Sequence, residues 1–239
     1  MITGVSGHHF GGRAIVLITG GKDSATVFEV AKDLHDEIVP VYYNFGQENQ
    51  TRNSQFAARY VYDVDHSDSD CEILGMEAID MSDFFFGKLV NEEVDRQDQF
   101  METFNHPEFD EGEFDYVPMR TVGMMAKLAV IADRLDGSYL YFGFNGDEPL
   151  EDADESDEAL RLGEAFIQEC SLPGHDISVV NPLSGLDSAQ VIALGERYGV
   201  EWKATCSCCE PGVGHCGECS SCVDRARGFR QAGVEDPAP

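Results

Sequence analysis

Ala14-Ile15-Val16-Leu17-Ile18-Thr19-Gly20-Gly21-Lys22-Asp23-Ser24 is the stretch on which the fold of this chain turns. Its apolar run, β-branched at Ile15, Val16 and Ile18, fits a buried strand, and Thr19-Gly20-Gly21 ends it. Ser24 fits the N-cap of a helix running to about His35, with Val27, Phe28 and Ala31 on its inner face. A glycine-rich turn between a first strand and a first helix suits a phosphate. Backbone N–H groups and a helix N-terminus meet there, and glycines let the phosphate come close. The hydroxyls of Thr19 and Ser24 and the ammonium of Lys22 add donors and charge. The spacing is not that of a Walker A loop, whose glycines lie farther apart and whose lysine is followed by Ser or Thr. The plain alternative is a turn of no chemical consequence.

Outward from this turn, strand and helix patterns alternate. Residues 38–45 read as a second strand and 50–62 as a second helix, with a third strand over 71–74. Residues 118–135 have helical spacing, with Met124, Leu128, Ile131 and Leu135 as a packing stripe. Then come a strand over 139–144, a helix over 160–170, a strand over 177–180 and a helix over 188–198. Repeated β-α units predict an α/β fold with a mostly parallel sheet flanked by helices, and ligands beyond the carboxyl ends of its strands. The polar segments 95–113 and 147–157 read as loops or lids.

At 239 residues the chain can bury a good core. Asp and Glu total 45 against 16 Lys and Arg, a formal net charge of -29. The acid is spread along the chain, and aliphatics and aromatics remain plentiful, so disorder is a poor explanation. Screening at molar salt removes the self-repulsion of such a surface, which predicts a salt-adapted, halophilic source. The same charge repels phosphate backbones, so no nucleic-acid partner is expected. No apolar run approaches the length of a membrane span, and residues 1–12 have no signal-peptide core. A soluble, cytoplasmic protein is the expectation.

Six of the eight cysteines fall between Cys206 and Cys222. Cys216, Cys219 and Cys222 are spaced by two residues each, and one of Cys206, Cys208 and Cys209 must complete a set of four. Four soft thiolates on short knuckles suit a structural Zn²⁺ ion. A disulfide cluster is the alternative, and a reducing compartment argues against it.

Thr19 to Ser24 resembles the PP-loop of the ATP pyrophosphatases, S-G-G-x-D-S, with Thr19 keeping the hydroxyl of the first serine. The turn and the cysteines together resemble the 7-cyano-7-deazaguanine synthase family of the queuosine and archaeosine pathways. The family's C-terminal signature is matched by Thr205, Ser207-Cys208, Cys216-Gly217-Glu218-Cys219-Ser220-Ser221-Cys222, Arg225, Gly228-Phe229, Ala232-Gly233 and Asp236-Pro237. Residues 43–47, Tyr116-Val117-Pro118-Met119-Arg120, Asn145 and Asn181-Pro182-Leu183 match further family segments. The likeness spans about residues 15–237.

That resemblance implies a Rossmann-like PP-loop domain, akin to the adenine nucleotide alpha hydrolases, over residues 1–204, and a zinc-binding segment with a closing helix over 205–239. It selects Cys208, Cys216, Cys219 and Cys222 as metal ligands. It implies an ATP-dependent carbon–nitrogen ligase that turns 7-carboxy-7-deazaguanine and ammonia into 7-cyano-7-deazaguanine (preQ0), through an adenylated carboxylate and an amide. Nucleotide binding falls on Ile18, Thr19, Gly20, Gly21, Lys22, Asp23, Ser24, Ala25, Thr26, Val27 and Phe28. Catalytic roles fall on Lys22, on Asp23 as a Mg²⁺ carboxylate and on Arg120 at the pyrophosphate or adenylate, against a helix-start salt bridge for Arg120. A homodimer is the family expectation. Two departures stand out: Thr121 replaces the family's Asn, and 147–157 replaces a segment carrying an arginine, so that Arg161 is the next one available. A related enzyme that stops at the amide or transfers sulfur, with Cys206 and Cys209 spare, and a non-catalytic zinc module are the alternatives. His8, His9, His35, His66, His106 and His175 read as surface residues, His215 as an alternative metal ligand, and Cys71 and Cys170 as buried apolar residues.

Overall fold

β2, Arg13–Leu17, is the strand around which the sheet is arranged. A strand sends successive side chains to opposite faces. Here Ala14, Val16 and the following Ile18 enter one hydrophobic core, while Ile15 and Leu17 enter another. All are at most 7% exposed. That two-sided burial is why the run carries no polar residue. The computed structural model describes residues 2–3, 9–46, 49–66, 68–82, 119–146, 153–212 and 214–238.

The other strands are β1 (Ile2–Thr3), β3 (Glu37–Asn44), β4 (Glu72–Ile73), β5 (Glu77–Asp80), β6 (Tyr139–Tyr141) and β7 (Ser178–Asn181). Among the described residues they form one parallel sheet in the order β1-β7-β6-β2-β3-β4, with β5 also paired to β3. The helices are α1 (Lys22–Leu34), α2 (Gln50–Asp63), α3 (Arg120–Leu135), α4 (Asp157–Cys170), α5 (Ser188–Tyr198) and α6 (Ser220–Ala232). Residues of α1, α2, α5 and α6 (Phe28, Tyr60, Ile192 and Phe229) share the core on one face. Met124 and Leu128 of α3 and Leu160 and Ile167 of α4 fill the other. Phe229 meets Trp202 edge-on at 5.2 Å, so the last helix is packed into the same core as α1 and α2.

The strand order reverses between β2, which continues to β3, and β6 on its other side. A crevice opens beyond the carboxyl ends at such a point, and it is the favoured ligand site of open α/β sheets. The turn after β2 and the segment after β6 both reach it.

Several local readings differ from the structure. The N-cap of α1 is Gly21, and Ser24 sits inside the first turn, its hydroxyl turned back onto the Gly21 carbonyl at 3.1 Å. β5 carries no apolar run because only Ile79 of its four residues is buried, so no periodic signal marks it. The stretch 153–157, read as loop, holds a 3-10 turn at Ala153–Glu155 and the start of α4, capped by Ser156 accepting from the Ala159 N–H. His35 is 1% exposed; its ring nitrogens lie 2.8 Å from the Gly11 carbonyl and 2.8 Å from the Tyr141 hydroxyl, two partners that make its burial tolerable. Cys170 ends α4 exposed, and Cys71 is half-buried at the margin of the core that it packs against. His8, His106, the segment 95–113, residues 116–118 and residues 147–152 lie outside the described residues.

Candidate active site

The turn 19–24 is closed by hydroxyl hydrogen bonds and close packing, and it carries one ion pair, Lys22 with Asp23. Ser24 Oγ accepts from the Thr19 N–H at 3.1 Å and from the Thr19 hydroxyl at 3.1 Å, which closes the loop on itself. Gly20 has φ +83°, and a Cβ there would lie 2.7 Å from Phe56 Cβ and 2.8 Å from the Ala57 nitrogen of α2. No other residue fits this position, because the left-handed backbone and the missing side chain are both used. The loop therefore presents the first-turn N–H groups of α1 at the crevice, the arrangement that attracts an anion.

Within the eleven-residue nucleotide stretch, the structure separates two groups. Thr19, Gly20, Gly21, Lys22, Asp23 and Ser24 form the turn itself. Ile18, Ala25, Val27 and Phe28 are 0% exposed and put their side chains into the core, and Thr26 spends its hydroxyl on the Lys22 carbonyl at 2.9 Å. These five shape the turn from behind and offer no side-chain atom to a ligand.

Lys22 is 3% exposed, and its ammonium lies 3.0 and 2.9 Å from the two oxygens of Asp23 and 3.3 Å from an oxygen of Asp224 in α6. Burial pulls its pKa down, but the two carboxylates more than offset that, and the net shift is upward. Asn145, just beyond β6, donates to Asp23 Oδ1 at 3.0 Å, so residues from both sides of the switch point converge on one carboxylate. Arg120 opens α3 with its guanidinium 5.4 Å from the centre of the Phe45 ring and paired with the buried carboxylate of Glu155. Asp154 accepts from the Thr121 N–H at 3.0 Å. The acidic segment is thus docked on the start of α3, and its last residues are not merely solvated surface. Arg161 stands on the exposed side of α4, its guanidinium forked onto Glu158 at 2.7 and 2.8 Å.

The thiols of Cys208, Cys216, Cys219 and Cys222 all lie within 4.8 Å of one another, with Cys216 to Cys222 and Cys219 to Cys208 each at 3.9 Å. Four sulfurs about 2.3 Å from one tetrahedral ion would sit roughly 3.8 Å apart. The donor set and spacing therefore fit a single soft metal ion. Backbone N–H groups of Glu218 and Cys219 point at Cys216 Sγ from 3.4 and 3.3 Å, which fixes the position of that sulfur. Burial raises the Cys219 thiol, yet hydrogen bonds from the backbone of Cys209 and Cys222 and from their thiols bring it down to about 6. Burial dominates at Cys222 and pushes it up to about 12. His215 Nε2 accepts from the Ser207 N–H at 3.3 Å, so it is engaged within the loop and is not one of the four residues that could hold a metal.

Two buried guanidiniums hold the knuckle to the body. Arg52 of α2 donates to the carbonyls of Cys208 and Glu210. Arg225 of α6, 1% exposed, donates to the Thr205 hydroxyl at 2.8 Å and to Asp236 at 2.9 and 3.0 Å. The knuckle also touches the nucleotide turn directly. The Cys206 N–H donates to the Gly20 carbonyl at 2.8 Å, and the Lys22 N–H lies 3.4 Å from Ser207 Oγ. Sequence reasoning did not assign Ser207, Asp224, Arg52 or Glu155 to the site. Ser207 stood inside the cysteine signature and could have been found there; the others carry no local signal, because tertiary packing alone brings them in.

The family model described as "Queuosine biosynthesis protein QueC" matches residues 13–233. The 7-cyano-7-deazaguanine synthase of Methanocaldococcus jannaschii is 29% identical over 94% of this chain and 97% of its own length. That of Thermoplasma acidophilum is 30% identical over 94% of this chain and 90% of its own length. A solved structure, a 4-thiouridine synthetase–RNA complex with bound ATP, covers 93% of this chain and 50% of that one at 13% identity and a TM-score of 0.47.

Proposed function

The chain belongs to the QueC family of queuosine biosynthesis proteins, and we propose on that footing that it is an ATP-dependent 7-cyano-7-deazaguanine synthase. The observation that carries this is the junction of the PP-loop-like turn with a four-thiol knuckle at the switch point of the sheet.

Neither oxygen of a carboxylate leaves as hydroxide at neutral pH. Transfer of AMP from ATP to the carboxylate of 7-carboxy-7-deazaguanine releases pyrophosphate and makes one oxygen a good leaving group. Ammonia then displaces AMP and gives the amide. A second ATP adenylylates the amide oxygen, and loss of AMP with the remaining N–H protons leaves the nitrile. In this scheme the N–H groups of the turn and the hydroxyls of Thr19 and Ser24 bind the phosphates, which need positioning and charge stabilisation above all. In the same scheme Arg120, which lies over Phe45 and pairs with Glu155, would exchange that carboxylate for an anionic substrate or leaving group. A Mg²⁺ ion held by Asp23 would neutralise triphosphate charge. A Zn²⁺ ion in the thiol set would be structural, because four thiolates leave no open position. A halophilic, cytoplasmic setting accounts for the charge of -29, and a homodimer remains the family expectation.

The test is an incubation in molar KCl with ATP, Mg²⁺, ammonium and 7-carboxy-7-deazaguanine, followed by mass spectrometry. The nitrile mass is expected. Accumulation of the amide would move the assignment to an amide-forming enzyme, and no product with no ATP consumption would overturn it.

A further inference from the structure

A lysine in a phosphate-binding turn invites the assumption that its ammonium meets the phosphate. At Lys22 the geometry argues otherwise. An ammonium has three N–H bonds. Three carboxylate oxygens already surround this one: Asp23 Oδ1 at 3.0 Å, Asp23 Oδ2 at 2.9 Å and Asp224 Oδ2 at 3.3 Å. The side chain is 4% exposed, and the Lys22 backbone N–H is directed at Ser207 Oγ. Asp224 is fixed in turn by the Ser188 hydroxyl of α5 and by Arg227, and it lies two residues beyond Cys222 on α6.

We infer that Lys22 is a buried counter-ion shared by Asp23 and Asp224, not a phosphate ligand, and that Asp224 is a positioning residue through which the cysteine knuckle sets the charge and direction of Asp23. This rests on the synthase reading above and sharpens it. Asp23 Oδ1 is engaged by both Lys22 and Asn145, while Oδ2 is engaged by Lys22 and keeps room for a second partner. The Asp23 side chain is a quarter exposed, so a cation can reach this carboxylate. Because Asp224 takes part of the ammonium's charge, Asp23 retains enough of its own to attract a divalent cation. Lys22 acts on the nucleotide through that carboxylate.

The experiment uses the full chain with its thiol site loaded, α,β-methylene ATP as a nucleotide that cannot be split at the α–β link, and Mn²⁺ as the cation. Metal-free nucleotide affinity is measured by calorimetry and Mn²⁺ affinity in the nucleotide complex by electron paramagnetic resonance. In Asp224→Asn the Lys22 charge falls wholly on Asp23. Mn²⁺ binding should then weaken about fivefold, with metal-free nucleotide affinity within twofold of the unsubstituted chain. The double variant Lys22→Met with Asp224→Leu removes the buried pair together, so folding does not hinge on an orphaned charge, and it should also bind metal-free nucleotide within twofold. A loss of tenfold or more in that double variant would make Lys22 a phosphate ligand and overturn the inference. Unchanged Mn²⁺ affinity in Asp224→Asn would reduce Asp224 to a structural partner and overturn it too. An unsubstituted chain that binds no nucleotide would defeat the synthase reading first, and this inference with it.

Discussion

The nucleotide turn and the cysteine knuckle touch at Gly20 and Cys206, yet they are held by opposite means. The turn hangs from a strand with a core on each face, and its own bonds, from Thr19 to Ser24 and from Lys22 to Asp23, are local in sequence. The knuckle has almost no apolar body. Its small cluster consists of Cys206, Cys208 and Cys222, with Phe56 and Cys219 packed against it. It is shaped by the thiol set and by Arg52 and Arg225 gripping its backbone and its flanks. The lesson is that the turn is formed by the fold, while its outer wall is a thiol set spaced to be closed by a single ion. Nucleotide binding should therefore respond to metal through the backbone contact of Cys206 with Gly20.

The largest break of this contrast is Cys222→Ser. A structural thiolate site contributes on the order of 10 kcal/mol to a small metal domain, and losing one ligand should open the knuckle to proteolysis while α1 to α4 stay folded. Nucleotide affinity should fall tenfold or more. Limited proteolysis beside a calorimetric titration checks both, and an intact turn with unchanged affinity would uncouple the two regions.

Gly20→Ala strikes the other side. A methyl group 2.7 Å from Phe56 Cβ at φ +83° combines overpacking with left-handed strain. The expected loss is about 2–4 kcal/mol of stability, read as a lower urea midpoint. Metal affinity of the thiol set should change little, because Arg52 and Arg225 still hold it.

The smallest effect lies at the far end of α1, away from both regions. Burial pushes the His35 imidazole below its ordinary value of 6.5. The unfolded chain therefore takes up a proton at a higher pH than the folded one. Stability is complete above the ordinary value and declines as pH falls from there towards the folded value. His35→Gln should flatten that part of the profile while leaving nucleotide and metal binding alone, which urea midpoints between pH 7 and 5 would show.

How much of this was legible beforehand depends on distance along the chain. The turn's place after β2 followed from an unbroken apolar run of the kind that only a doubly covered strand needs. The ends of most elements fell within a few residues, and α5 matched throughout because a capping box at Asp187 and Gly199 at φ 75° mark both of its ends. β5 escaped because one buried residue in four makes no pattern. The charged side chains escaped for a different reason. Lys22 stands in a turn whose residue types suit a phosphate, and these alone assign it to the ligand. For Arg120 the sequence leaves a ligand role and a helix-start salt bridge open, and the structure shows the salt bridge with Glu155. Their carboxylate partners, Asp224 and Glu155, stand far away in sequence.

The sequence by itself determined the alternation of strands and helices, the position of the turn and three of the four thiols, because each is written in neighbouring residues whose spacing is enforced by backbone geometry. The fourth, Cys208, came from the family resemblance. Only the tertiary structure decided that the knuckle forms a wall of the turn, that Asn145 meets Asp23, and that the Lys22 ammonium is already surrounded. An ion pair depends on which surfaces the sheet order brings within 3 to 4 Å, and no local pattern of residues carries that information.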